Sequence, residues 1–173
     1  PQRSSNAIPA AEVAEDSRVP LISPWSTNPE TTLNKEWVFR AAFLDPFQGR
    51  VLAKFAREEL NAERVAVLYD ITEKYNKGLA EIFKDSFEKL PNGKVVSFEH
   101  YTSDAKEYAN QLTKIKESGA EVLFLPNYAV DVLDQVRAAK ELGMDIQIIG
   151  SDTWGTIAED QRNELDGAFF TTH

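Results

Sequence analysis

Cysteine is missing altogether from the 173 residues, which removes disulfide cross-links, thiolate nucleophiles and Cys-based zinc sites in one step. Histidine is scarce. Only His100 and His173 are present, too few for a His-rich metal site. Basic residues are outnumbered, with 19 Lys and Arg against 28 Asp and Glu and a formal net charge of -9. A phosphate backbone calls for a basic face, so no nucleic-acid partner is expected. Long apolar runs are also lacking. The longest hold about five residues, against roughly 20 for a helix that spans a bilayer. No signal peptide is visible. Among catalytic signatures, G-x-G-x-x-G, the P-loop, G-x-S-x-G and H-E-x-x-H are all absent. Neither a cofactor nor a metal is expected, and the role read from these absences is not enzymatic.

What remains is an ordinary globular composition, 42% hydrophobic and 27% charged, long enough for one good-sized domain or parts of two. Residues 7–17 read as a helix with a thin stripe of Ala10, Val13 and Ala14. Residues 19–23 and 36–43 read as strands. Residues 45–62 look helical, with Asp45 as N-cap, Pro46 in the first turn, and Phe47, Val51, Phe55 and Leu60 lining the buried side beside Leu52.

The clearest pattern follows. Strand-like runs at 64–70, 94–101, 121–126, 145–150 and 167–172 alternate with helical runs at 73–90, 104–119 and 129–143. In the second of these helices Asp104 and Glu107 form a capping pair and Gly119 ends it. Apolar strands alternating with amphipathic helices predict parallel βαβ units covered on both faces. In such sheets ligands bind beyond the carboxyl ends of the strands.

That rule directs attention to four loops. The first, "SPWSTNPETT" at 23–32, sets Trp25 among Ser23, Ser26 and Thr27. The second offers Asp70, Thr72 and Tyr75, and the third Asn127 and Tyr128. The fourth offers Ser151, Asp152, Thr153 and Trp154. Hydroxyls and loop amides suit a carboxylate, an acidic side chain suits an ammonium, and aromatics supply walls. The inventory fits a small zwitterion. The competing reading makes Asp and Ser helix caps and the aromatics core. His100 reads as a strand residue, and Glu58 with Glu59 as a solvated helix face. Asp70 after a strand resembles a phosphoacceptor, but the acidic pair and lysine of such a site are not evident.

The run from "RVAVLYDITEKYNKGLAEIFKDSFEKL" through "GAEVLFLP" to "QVRAAKELGMDIQIIGSD" closely resembles the branched-chain amino-acid binding proteins of ABC importers. "SSNAIPAAEVAEDSRVPLISPWSTNPETT" resembles that family's first-lobe segment, and "FRAAFLDPFQG" its first crossover between lobes. The resemblance runs over essentially the whole chain. It implies a type I periplasmic binding protein fold, a three-layer parallel-sheet α/β sandwich, present here in part and mostly as the second lobe.

It also implies roles. Ser4 or Ser5 falls where a serine hydroxyl holds the ligand carboxylate. Trp25 falls where a backbone carbonyl receives the amino group, its indole forming a wall bulkier than the small residue often found there. From the loop's own inventory, rather than from the resemblance, Ser26 adds a hydroxyl as a ligand-binding candidate. Thr27 binds carboxylate and amine, Asp152 pairs with the ammonium, Tyr75 and Tyr128 close over the ligand, and Asp45 lies near the hinge. Family members are about twice as long, so the resemblance implies a fragment: residues 1–43 a remnant of the first lobe, residues 44–173 the core of the second. On that basis the chain is expected to expose surface that self-associates or pairs with a complementary piece. The intact protein is expected to lie in the periplasm or outside the cell and to serve an ABC permease. Two other readings stand beside this one: a sensing domain for a small amide or aromatic acid, and an α/β enzyme whose catalytic half is missing.

Overall fold

The structure, a computed structural model, describes residues 3–104 and 108–172. A helix, α1 (Ser4–Asp16), leads to a short strand, β1 (Leu21–Ser23), which pairs in parallel with β2 (Val38–Arg40). Helix α2 (Asp45–Glu58) then enters a larger unit of β3 (Arg64–Asp70), α3 (Lys74–Phe87), β4 (Lys94–Tyr101), α4 (Ala109–Glu117), β5 (Val122–Leu125), α5 (Ala129–Glu141), β6 (Gln147–Gly150) and β7 (Phe169–Phe170). Its five strands run parallel in the order β4-β3-β5-β6-β7.

Strand alternation explains the three layers. Val65, Val67 and Tyr69 of β3 point to the face covered by α2 and α3, where Leu52, Leu79, Phe83 and Phe87 are buried with Phe124. Ala66 and Leu68 point to the other face, packed with Leu112 and Ile115 of α4 and Val132 and Val136 of α5. Successive side chains on a strand face opposite ways, so a strand covered on both sides must be apolar throughout. Removing either Phe83 or Phe124, both fully buried, would empty the centre of the first layer.

Several expectations are corrected. The buried side of α2 carries Gln48, Gly49, Leu52, Ala53 and Ala56, whereas Phe47 and Val51 are exposed. Small residues turned toward α3 let the two helices pack closely, and that contact fixes the rotation of α2 against the cruder apolar count. Asp45 is the first helical residue and Leu44 the N-cap. In α1 the buried stripe is Ala7, Ile8, Ala11 and Ala14, with Val13 exposed. Gly119 does follow α4 with a φ of 68°, the left-handed turn that a helix end favours in glycine. Glu107 of the expected capping pair and His173 lie outside the described residues.

With order β4-β3-β5, consecutive chain connections leave in opposite directions at β3 and β5. A crevice opens there beyond the carboxyl ends of the strands. Tyr75, Tyr128 and Asp152 follow β3, β5 and β6.

A closed acid and hydroxyl cradle between two sheets

The "SPWSTNPETT" loop folds on its own hydroxyls. Ser26 Oγ lies 2.9 Å from Ser4 Oγ and 2.8 Å from Thr31 Oγ1, and all three residues are buried. Asn28 Oδ1 accepts from the Glu30 amide at 2.9 Å and starts a short 3-10 turn at Pro29–Thr31. Arg40, on β2, donates to the carbonyls of Ser26 (2.8 Å) and Asn28 (2.7 Å). Its guanidinium holds the loop from beneath, and desolvation lowers its pKa. Thr27, also buried, accepts the Asp45 amide on its carbonyl at 2.9 Å, which ties the loop to the start of α2.

The other wall comes from the large sheet. Asp152 is buried, and its Oδ1 accepts from Gln48 Nε2 at 2.7 Å and from the Tyr75 hydroxyl. Gln48 Oε1 accepts in return from the Asp152 amide at 3.1 Å and from Thr171 Oγ1 at 2.8 Å. Burial, then the nearby Asp152 and Asp45 charges, push the Tyr75 hydroxyl well above its ordinary range, so it remains a donor. The Tyr75 ring lies 5.5 Å from that of Tyr128, and the Arg3 guanidinium sits 4.5 Å over Tyr128.

Asp45 belongs to this cluster. It is fully buried, and neither carboxylate oxygen meets a hydrogen-bond donor at bonding geometry among the described residues. Its pKa is raised from 3.8 to about 7, chiefly by desolvation and further by Asp152. The Thr27 side chain and Arg40 favour the charged form but do not offset the burial. Two carboxyl groups, Asp45 and Asp152, therefore share one poorly solvated region.

The structure gathers seven of the eight proposed ligand contacts. Ser4, Trp25, Ser26, Thr27, Tyr75, Tyr128 and Asp152 line one cavity, joined by Thr153. Ser5 does not reach it; its hydroxyl donates to Glu73 Oε2 at 2.9 Å, so of the serine pair only Ser4 faces inward. The cavity measures about 10 Å³, room for a single water molecule. A hollow of about 180 Å³ adjoins it and shares Trp25, Tyr128 and Thr153. Larger surface hollows, about 510 Å³ between α2 and α3 and about 300 Å³ at the amino ends of β6 and β7, are not at the carboxyl ends of the strands.

Other loop residues have structural work. Asp70 accepts from the Thr72 amide (2.8 Å) and hydroxyl (2.6 Å) and from Ser103. Asn127 joins β3 to α5 by donating to the Leu68 carbonyl and Gln135 while accepting from the Asp70 amide and Asn76. Trp154 is a core residue, buried in the second layer beneath Gly150, and does not line the cavity. Gln48 and Arg40 were not anticipated; Gln48 lies one helical turn beyond Asp45 and so on the same face, which was the available signal. Among the described residues no group of three or more His, Asp or Glu could hold a metal ion, and no helix is long and apolar enough to cross a membrane.

A three-layer parallel sheet whose strand-end loops meet a second strand pair over a small polar cavity is the type I periplasmic binding protein fold. The chain belongs to the periplasmic binding protein family, whose sequence pattern matches residues 1–173. It is 29% identical over 153 residues to the leucine-specific-binding protein of Salmonella typhimurium, covering 88% of this chain and 41% of that protein. It is also similar to the crystal structure of a leucine binding protein from Thermotoga maritima, with a TM-score of 0.92 and 30% identity over 100% of this chain and 49% of that one. A third match is the substrate binding protein of a branched-chain amino acid transporter from Streptococcus pneumoniae, solved in complex with isoleucine. There the TM-score is 0.82 and the identity 29%, over 95% of this chain and 45% of that one. The chain thus spans less than half the length of these relatives, which are binding proteins rather than enzymes.

Proposed function

We propose that the chain is part of the solute-binding component of an ABC importer, and that it captures a small amino acid or related zwitterion between two lobes. The carrying observation is the cavity shared by Ser4 and Thr27 on one side and Asp152 and Tyr75 on the other. Hydroxyls and loop amides take the ligand carboxylate, and Asp152 takes the ammonium. Residues 1–43 form part of the first lobe and residues 44–173 the core of the second, with Asp45 at the crossover. Since about 10 Å³ cannot hold an amino acid, the two walls must part to admit one and then reclose, a hinge motion driven by the ligand's greater affinity for the closed form. An ABC permease would then read the closed form, in the periplasm or outside the cell. Exposed Ile22 and Phe39, on the β1–β2 pair, are where self-association of the chain would run.

The test is Asp152→Asn in the intact protein. Asn preserves an acceptor for Gln48 and Tyr75, which Ala would leave unpaired, and removes the charge. Calorimetric titration should show affinity for amino acids falling roughly 10- to 150-fold, the worth of one charge-assisted bond. Unchanged affinity would overturn the zwitterion reading.

A further inference from the structure

The 180 Å³ hollow beside the head-group cavity is where a ligand's side chain would extend, because the two share Trp25, Tyr128 and Thr153. Its walls are largely apolar, with Trp25, Tyr128, Ala129 and Val130, but its rim carries Arg3. Both threonine hydroxyls of the lining have spent their protons: Thr153 donates to the Asn127 carbonyl and Thr156 to the Thr153 carbonyl, each at 2.7 Å. They can only accept. Arg3 is different. Glu73 takes a single N–H at 2.9 Å, and the rest of the guanidinium fork has no hydrogen-bond partner among the described residues, while its plane is held over Tyr128.

We infer that Arg3 sets side-chain specificity, selecting a ligand whose apolar stem ends in an oxygen acceptor rather than a purely aliphatic one. An aliphatic tip would cover some of those N–H donors without pairing them, and because Arg3 sits half exposed at the rim the discrimination expected is about 10-fold rather than the larger ratio of a buried site. Glu73 already neutralises Arg3, so an amide meets less repulsion than a carboxylate, and glutamine is expected ahead of glutamate. This deepens the amino-acid reading above and rests on it.

Calorimetric titration of the intact protein with glutamine, glutamate and leucine, repeated on Arg3→Met, tests it. Arg3 is about half exposed, so the variant should fold. Glutamine is expected to bind about 10-fold tighter than leucine, and Arg3→Met to erase or invert that ratio. Leucine binding tightest in the unaltered protein would overturn the inference and leave the head-group reading standing. So would Arg3→Met lowering all three affinities equally, since a contact that only aids closure moves every ligand together. If none of the three binds, the head-group reading fails and this one with it.

Discussion

Asp45→Asn isolates the most unusual electrostatic feature of the molecule. A carboxyl whose folded pKa is raised holds its proton more tightly in the folded chain than in the unfolded one. Its contribution to stability is therefore fully present below the unfolded value of 3.8 and is lost as pH rises through about 7. Between those limits lie about three pH decades at roughly 1.4 kcal/mol each, or about 4 kcal/mol, an upper bound because buried sites relax. About 2 kcal/mol of that should be lost between pH 5 and pH 7, the group still being half protonated at the upper limit.

The assay is urea unfolding at intervals from pH 5 to pH 8 for the chain and for Asp45→Asn. The unaltered chain should lose stability with rising pH relative to the variant, whose amide cannot ionise. Other groups contribute equally to both and cancel. Glu15 and Glu121, whose pKa values are lowered mainly by backbone amides that donate to them, act in the opposite sense and at lower pH. Parallel profiles for the two proteins across pH 5 to 8 would show that Asp45 is solvated or paired in solution, and the buried-acid argument would fall.

Two further substitutions probe the support of the site. Gly150→Ala would place a Cβ 2.2 Å from Trp154 Cε2 and 2.3 Å from Cδ2, against a buried ring that cannot swing aside, and should cost about 3 kcal/mol by denaturant midpoint. A loss below about 0.5 kcal/mol would mean that Trp154 is not packed as described. Gln48→Leu should lower ligand affinity about 10-fold with a stability loss of about 1–3 kcal/mol, because the Asp152 amide and Thr171 lose their acceptor. Titration and unfolding of the same variant would separate the two effects, and unaltered affinity would mean that Gln48 does not orient Asp152.

The large unit was legible in the sequence because β3 and β5 are buried on both faces and so spell continuous apolar runs that few other environments produce. The position of the candidate site was legible through the same topology, since parallel strands deliver their following loops to one edge. What sequence spacing could not supply was partnership across the fold. Gln48 and Asp152 stand 104 residues apart, and Arg3 meets Glu73 across 70; neither pairing leaves a local pattern. Trp154 misled for a related reason: an aromatic in a strand-end loop can face the ligand or the core, and here a side-chain-free Gly150 lets the indole turn inward. The buried side of α2 misled because apolar residues were weighted over the small ones that close helix contact requires.

The cluster around Asp152 makes sense as a single electrostatic arrangement. Gln48 and Tyr75 donate to one oxygen of Asp152, while Asp45 beside it has no donor at bonding geometry, and the Thr27 side chain and Arg40 do not offset the burial that raises its pKa. Natural chains rarely keep an unpaired buried acid without compensation, because desolvating a carboxylate costs several kcal/mol. On the proposed function, a cation placed between the two walls would relieve Asp45, and the ammonium of a zwitterion has the charge and size to do so. The same cation would do little with the walls apart, where water already solvates each acid. On the proposed function its stabilising effect would fall mainly on the closed arrangement, and that difference between states is what a ligand-driven clamp requires.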